Sequence, residues 1–337
     1  MHTPRNRVRE GVGMKVNFFV EDLLFLRYIG CATVAKTLYR QLQSEPGIEV
    51  SWKKYANHAD IVHYHTFGPI AALNRRMAKG KKILTAHSTP RINMGNIALA
   101  RAINKRYPKI YRKYDHIITI SRPCHEEVTA MVPEMPVTLI PNGVNRDFFR
   151  RDEEKRAAFR EEYGIPDDQD VVLTVAQQTP RKGLYDFLAL SQEYPEKKFI
   201  WIGGSPYMAL SKDYGKIKQM KMQCRDNVLF PGYMNDIIKP YSAADIFLMP
   251  SYAETFGLVI LEALSCGLPV IARDIPEFHD IYGDTILYFS SIEDAMARME
   301  DRPALTHCAA GARDFSSQFD LKDIASLHVK LYRELTE

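Results

Sequence analysis

The sequence predicts an α/β protein with two Rossmann-like parallel sheets, and three observations carry that expectation. Its 337 residues are enough for two domains of ordinary size, each with its own core. Short apolar runs rich in β-branched residues alternate with helical stretches in both halves, the rhythm of βα units around a parallel sheet. Composition is ordinary, at 46% hydrophobic and 26% charged with no low-complexity tract or repeat, which excludes a disordered or fibrous chain.

In the first half the runs at 15–20, 61–65, 82–86, 116–120 and 137–140 read as strands. In the second half the strand runs are 171–176, 198–202, 228–230, 246–249, 270–272 and 286–288. Between the halves, the charged stretch 146–163 holds the linker or the first helix of the second half, and 315–337 reads as a closing helix. Ligands of doubly wound sheets sit at the carboxyl ends of the strands, so the loops after these runs are where chemistry is expected.

Charge divides the chain. Residues 1–150 hold 24 Lys+Arg against 11 Asp+Glu, a net +13, while 151–337 hold 21 against 30, a net −9. Arg101, Lys105, Arg106, Lys109, Arg112 and Lys113 are interleaved with Ile103, Tyr107, Ile110, Tyr111 and Tyr114. That mixture suits a helix lying on an anionic membrane, with tyrosyl groups in the interface and cations at lipid phosphates; it equally suits a solvated helix face, and Pro108 interrupts it. No helix-turn-helix, zinc-finger or RNP-like pattern supports nucleic acid as a partner. No apolar run reaches the roughly 18 residues of a membrane span, and residues 1–13 lack the apolar centre of a secretory signal, so a cytoplasmic location is expected. Five scattered cysteines without a CxxC pair disfavour a disulfide framework or a thiolate zinc site.

The fullest chemical signal is PSYAETFGLVILEALSCGLPVIA, residues 250–272. Pro250 closes a strand, Glu254 falls in the loop, and an apolar helix follows until Gly267 and Pro269. Unpaired amides around Thr255, Phe256, Gly257 and Leu258 at that helix end can receive a phosphate. Glu254 and Glu262 flank it, eight residues apart, too far for the acid and base of a glycoside hydrolase but suited to a ligand with hydroxyls at both ends. A capped core helix with two solvated carboxylates satisfies the same spacing.

In TVAQQTPRKGLYDFL, Lys182 stands at a helix start where a cation can face phosphate, and Arg181 beside it reads as solvated. Gly203 and Gly204 end a strand and allow close backbone approach, as a tight turn also would. Gly30 opens the helix after the first strand. Strand ends also supply His65, from HYHT, and His87, from TAHST, either as satisfied structural groups or as participants. There is no GxGxxG, P-loop or HExxH pattern, so nicotinamide cofactors, P-loop hydrolysis and zinc proteolysis lose support. The acidic run at Asp167, Asp168 and Asp170 precedes a strand, the wrong edge for a ligand, and reads as a solvated turn rather than a metal site.

Together these residues resemble the retaining glycosyltransferases of family four, which have the GT-B fold of two facing Rossmann-like domains. The resemblance is most specific at Glu254 to Glu262, the EX7E motif, and at ALSCGLPVIA, and extends to IPNGVN at 140–145 and ISRP at 120–123. It implies an acceptor domain over 1–147, a donor domain over 148–318 and a closing helix over 319–337 that returns to the first domain. It further implies that Glu254 contacts the donor sugar, Glu262 the ribose, and Lys182 with the Phe256 and Gly257 amides the diphosphate. His87 matches the histidine near the transferred sugar and Gly30 the glycine of the first loop. No metal or other cofactor is implied. Two positions depart from the family: Gln177 stands where an arginine is usual, and Asn145 where an aspartate is. The QxxPRKG wording, HYHT and the basic aromatic segment look most like the branch that glycosylates diacylglycerol lipids. The expectation is a transferase using a nucleoside diphosphate sugar, UDP as the nucleotide, at the inner membrane face. A nucleotide-sugar 2-epimerase and a non-catalytic membrane-surface adaptor are the alternatives.

Overall fold

The computed structural model describes residues 13–21, 30–52, 58–93, 104–205 and 213–337. The first half runs β1 (Met14–Phe19), α1 (Gly30–Leu42), β2 (Ile48–Trp52), β3 (Ile61–Tyr64), α2 (Pro69–Met77), β4 (Lys81–Thr85) and α3 (Pro90–Asn93). It continues with α4 (Tyr107–Tyr111), β5 (His116–Thr119), α5 (Arg122–Met131) and β6 (Val137–Leu139). The second half runs α6 (Glu153–Glu162), β7 (Val171–Val175), α7 (Leu184–Glu193), β8 (Lys198–Ile202), α8 (Tyr214–Gln223), β9 (Val228–Gly232), α9 (Ile238–Ala243) and β10 (Ile246–Met249). After these come α10 (Leu258–Ser265), β11 (Val270–Arg273), α11 (Pro276–Tyr282), β12 (Leu287–Phe289), α12 (Ile292–Glu300), α13 (Arg302–Ser316) and α14 (Leu321–Thr336).

Each half forms a six-stranded parallel sheet, in the orders β2-β1-β3-β4-β5-β6 and β12-β11-β10-β7-β8-β9. Helices cover both faces, which is why the central strands read as unbroken apolar runs: every residue of IVHY (β3), HIIT (β5) and IFLM (β10) is buried. The strand at 48–52 is absent from the sequence expectation. It is an edge strand, IEVSW, with Glu49 exposed and the rest half-buried, so its apolar signal is weak.

α14 carries Ile324, Ala325, Val329, Leu331 and Tyr332 on one buried stripe, packed among Val16, Phe18, Leu38, Ile61, Ile83 and Ile118 of the first half. At about 1.5–3 kcal/mol per buried aliphatic or aromatic side chain, this stripe contributes roughly 10 kcal/mol before ordering costs. Asn145 makes the turn after β6 by accepting from the amides of Asp147 (3.1 Å) and Phe148 (3.0 Å), a task an aspartate could do equally.

The basic aromatic segment differs from expectation. The chain forms only the five-residue α4 there, with Pro108 in its first turn, and Tyr107, Tyr111 and Tyr114 are 1%, 0% and 3% exposed within the first-half core. Tyr107 and Tyr111 pack against Phe67 with ring centroids 5.2 and 5.9 Å apart. These tyrosines hold the core together and do not reach a membrane interface. Lys105, Arg106, Lys109, Arg112 and Lys113 are exposed, with Arg112 paired to Glu134, and Arg101 lies outside the described residues.

Candidate active site

The second sheet reverses its strand order between β7 and β10, the position where doubly wound sheets open a crevice at their carboxyl edge. The loop after β7 carries Thr179 to Gly183 and the loop after β10 carries Pro250 to Gly257. They touch at Gly183, whose φ is +76° and where a Cβ would lie 2.1 Å from the Pro250 carbonyl oxygen, so no other residue fits without moving a loop. Tyr252 N donates to Arg181 O at 2.8 Å and locks the same contact.

Lys182 Nζ donates to Glu254 Oε1, the lysine side chain 14% and the glutamate side chain 10% exposed. Burial lowers the Lys182 ammonium below its ordinary range against the opposing pull of Glu254. Burial alone would raise the Glu254 carboxyl, but Lys182 and Arg181 outweigh it and hold the group below its usual range. Arg181 is not the solvated residue its sequence context suggests. Its Nη1 donates to Ala253 O and lies 3.8 Å from Glu254 Oε1, so two cations face one carboxylate.

α10 begins at Leu258 behind Gly257, which adopts a left-handed φ of +76°. Phe256, Gly257, Leu258 and Val259 present amides that donate to no acceptor among the described residues. The helix end thus offers unpaired donors and partial positive charge a few residues from Glu254. Tyr282 fixes this turn by donating to the carbonyls of Phe256 and Gly257, 3.0 Å each. Glu262, one turn into α10, is 8% exposed and accepts from Tyr241 OH at 2.7 Å. Burial pushes its carboxyl up to about 7, with the Tyr241 hydroxyl opposing the rise. Ionised, that carboxylate accepts hydrogen bonds on both oxygens; protonated, it keeps acceptor capacity but turns one oxygen into a donor.

Gln177 is half-buried just after β7. Gln178 is buried and ties the next loop down: its Nε2 donates to Gly203 O at 2.8 Å and its amide to Gly204 O at 3.0 Å. Gly203 and Gly204 therefore border the same crevice. Asp170 is engaged by Lys197 (2.7 Å) and by Arg302, a structural ion-pair cluster at the opposite edge of the sheet.

The first half meets this crevice through His87, after β4. Its carbonyl accepts from Thr255 Oγ1 at 3.2 Å, and its ring Nε2 lies 2.8 Å from Nδ1 of His65, the rings stacked with centroids 5.1 Å apart. Burial pushes the His87 imidazole down to about 3 and His328 to about 4, and lowers His63 and His65 as well, so the whole group is neutral. Arg91 to Glu277 and Arg122 to Asp280 (3.4 Å) join the two halves beside it. Gly30 is exposed at the start of α1, and the preceding residues 22–29 lie outside the described part.

The structure thus brings Lys182, Glu254, Thr255, Phe256, Gly257 and His87 together at the carboxyl edge of the second sheet, where it meets the first half, with Glu262 behind the helix turn. Arg181, Tyr241 and Tyr282 belong to it without a local sequence signal. Only the position of Arg181 beside Lys182 hints at its part.

Comparison with known proteins places the chain in a family. Residues 25–148 match the family described as Glycosyltransferase Family 4, and residues 155–298 the one described as Glycosyl transferases group 1. The chain is 30% identical over 278 residues to the processive diacylglycerol alpha-glucosyltransferase of Acholeplasma laidlawii, covering 79% of this chain and 81% of that protein. It is 33% identical over 227 residues to the alpha-galactosylglucosyldiacylglycerol synthase of Streptococcus pneumoniae, a match spanning 64% of this chain and 61% of that protein's length. Among solved structures, the sucrose-phosphate synthase of Thermosynechococcus elongatus superposes with a TM-score of 0.79 at 18% identity, over 96% of this chain and 99% of that one. Anabaena HepE in complex with UDP and glucose superposes with a TM-score of 0.76 at 18% identity, over 96% and 100%. Both share the two-sheet GT-B architecture. With both halves matched and a relative aligned over four-fifths of its length, the chain belongs to glycosyltransferase family 4.

Proposed function

We propose that the protein is a retaining, metal-independent hexosyltransferase that takes its sugar from a nucleoside diphosphate sugar, with UDP as the nucleotide. The acceptor is a hydroxyl of a diacylglycerol-type lipid at the cytoplasmic face of the membrane. The observation that carries this reading is the convergence of Lys182, Arg181 and the free amides of α10 around Glu254 at the β7/β10 switch point. As the glycosidic bond loosens, negative charge grows on the β-phosphate. Fixed amides and two cations stabilise it without the reorganisation that water would require.

Glu254 holds the Lys182 ammonium in place before the donor arrives and accepts a sugar hydroxyl after it; Glu262 takes the ribose. The acceptor attacks from the face the diphosphate leaves, and the diphosphate takes the proton. Contacts such as Thr255 to His87 close the crevice against water that would hydrolyse the donor. Arg181 also answers the departure at Gln177: the charge missing there is supplied four residues on.

Two observations support a lipid surface as the acceptor side. The named activities of the bacterial relatives concern diacylglycerol glycolipids. On α2 the usual polarity is reversed, since Ala71, Asn74 and Arg75 face inward while Ile70, Leu73 and Met77 are 46%, 56% and 42% exposed beside Arg76 and Lys79. An apolar stripe flanked by cations on a half-molecule of net charge +13 fits an anionic interface. No described helix is long and apolar enough to cross a membrane.

The test is a panel of nucleotide sugars incubated with and without anionic vesicles containing diacylglycerol, in buffer with EDTA. The expected result is a glycolipid with retained anomeric configuration, formed only with vesicles and insensitive to the chelator. Epimerised donor in the absence of acceptor, or no turnover and no heat of UDP binding, would replace this reading by the epimerase or the adaptor.

A further inference from the structure

The buried histidines beneath His87 form a connected row with a determinate direction. Tyr332, on α14, is 0% exposed, and its hydroxyl lies 2.7 Å from His63 Nδ1 with no other acceptor in reach among the described residues. A buried hydroxyl proton without a partner costs on the order of 1–3 kcal/mol, so Tyr332 donates to His63 Nδ1. The neutral His63 ring then carries its proton on Nε2 and donates it to Thr85 Oγ1, 2.6 Å away. Thr85 must send its own proton elsewhere.

Thr85, His65, Asn142 and His328 are among the residues lining one small cavity of about 20 Å³, room for a single water molecule. His328 Nδ1 donates to the Ile324 carbonyl at 2.9 Å, which leaves its Nε2 as a bare acceptor. His65 is 3% exposed, and its Nε2 is buried with no hydrogen-bond partner among the described residues. A water that accepts from Thr85 has two protons to place, one on His328 Nε2, and a proton on His65 Nε2 would leave the second without that nitrogen as its acceptor. A lone pair there receives it.

We infer that Tyr332 and His63, acting through Thr85 and one cavity water, fix His65 as its Nδ1–H tautomer, and that His65 thereby fixes His87 so that it presents Nδ1–H to the ligand in the crevice. His65 Nδ1 donates to His87 Nε2 across the 2.8 Å contact, and the His87 proton is left on its other nitrogen. His65, His63 and Tyr332 are positioning residues; only His87 touches the ligand. The row also ties α14 chemically to the site it closes: every member donates forward, an arrangement in which each bond polarises the next. This inference rests on the reading that His87 faces the donor sugar, but the tautomer itself is independent of it.

The experiment is a long-range 15N–1H correlation spectrum of the full-length protein labelled with 15N-histidine, together with donor kinetics for three variants. The inference expects protonated Nδ1 and bare Nε2 at both His65 and His87 in the wild type. Tyr332→Phe should make the His87 tautomer mixed and lower kcat by about 5- to 10-fold with little change in donor KM. His65→Phe should do the same, while His65→Gln, which can still accept from the water and donate to His87, should keep most of kcat. Thermal melting controls for folding. His87 protonated on Nε2 in the wild type, or His65→Phe and His65→Gln being indistinguishable in kcat, overturns the inference. The expected tautomers in a protein that transfers no sugar would instead sink the assigned function and leave the row intact.

Discussion

Lowering the pH from 8 to 6 should weaken binding of UDP-glucose about 10-fold through a single group, Glu262. Its carboxyl is pushed up to about 7 by burial, whereas the buried histidines His87 and His328, held at about 3 and about 4, stay neutral throughout that range. In the proposed ribose contact the hydroxyls donate to Glu262, which favours its acceptor-only ionised form, so binding pulls its titration down. The sign follows: affinity is full above about pH 7 and falls tenfold for each unit below it, about 1.4 kcal/mol per unit. Calorimetry in buffers of different ionisation enthalpy should show release of roughly half a proton on binding at pH 7. Glu262→Gln should bind more weakly at pH 8 and lose the pH dependence. Tyr241→Phe removes the hydroxyl that opposes the rise, and should move the midpoint upward. Affinity that is flat from pH 8 to 6, or equally steep in Glu262→Gln, would refute the reasoning.

Three further outcomes follow from the same structure. Arg181→Ala should reduce kcat/KM by about 10- to 100-fold, measured by release of UDP, because Lys182 then faces the diphosphate alone. Replacing Ile70 and Leu73 together by Ser should abolish co-flotation with anionic vesicles while leaving UDP affinity unchanged, since both side chains face outward on α2. Acid should destabilise the fold: His328 is held at about 4 in the native state against about 6.5 unfolded, so its contribution is complete above about pH 6.5 and is lost toward pH 4. For His328 alone that amounts to about 2 kcal/mol between pH 7 and 5, so thermal scans should show a shallower acid loss in His328→Gln, with the share of the other buried histidines remaining.

What the sequence made legible and what it hid divide along physical lines. Strands covered on both faces, such as IFLM, announce themselves as apolar runs, while the edge strand IEVSW does not, because solvent on one side admits Glu49. Lys182, Glu254 and Glu262 were readable since strand, loop and helix succeed one another within a few residues there. Tyr241 and Tyr282 reach the site from 21 residues before Glu262 and 25 after Gly257, and no local pattern marks that approach. Arg181 was misread because a charge in a loop is usually solvated; here the Ala253 carbonyl and Glu254 claim it. Tyr107, Tyr111 and Tyr114 fall at i, i+4 and i+7, a spacing that serves a core as well as an interface, and burial against Phe67 decided between them. The membrane-facing candidate moved to α2, whose inward Asn74 and Arg75 are satisfied by Tyr64 and Tyr114, a pairing only the fold reveals.

The most direct measurement is the turnover of Lys182→Met with UDP-glucose and diacylglycerol vesicles, set beside its circular dichroism and melting curve. A folded variant whose kcat has dropped by about 100- to 1,000-fold is the expected result, as for loss of one donor from a preorganised anion site. A folded variant turning over at close to the wild-type rate would mean that the diphosphate is gripped somewhere other than between α10 and the loop after β7.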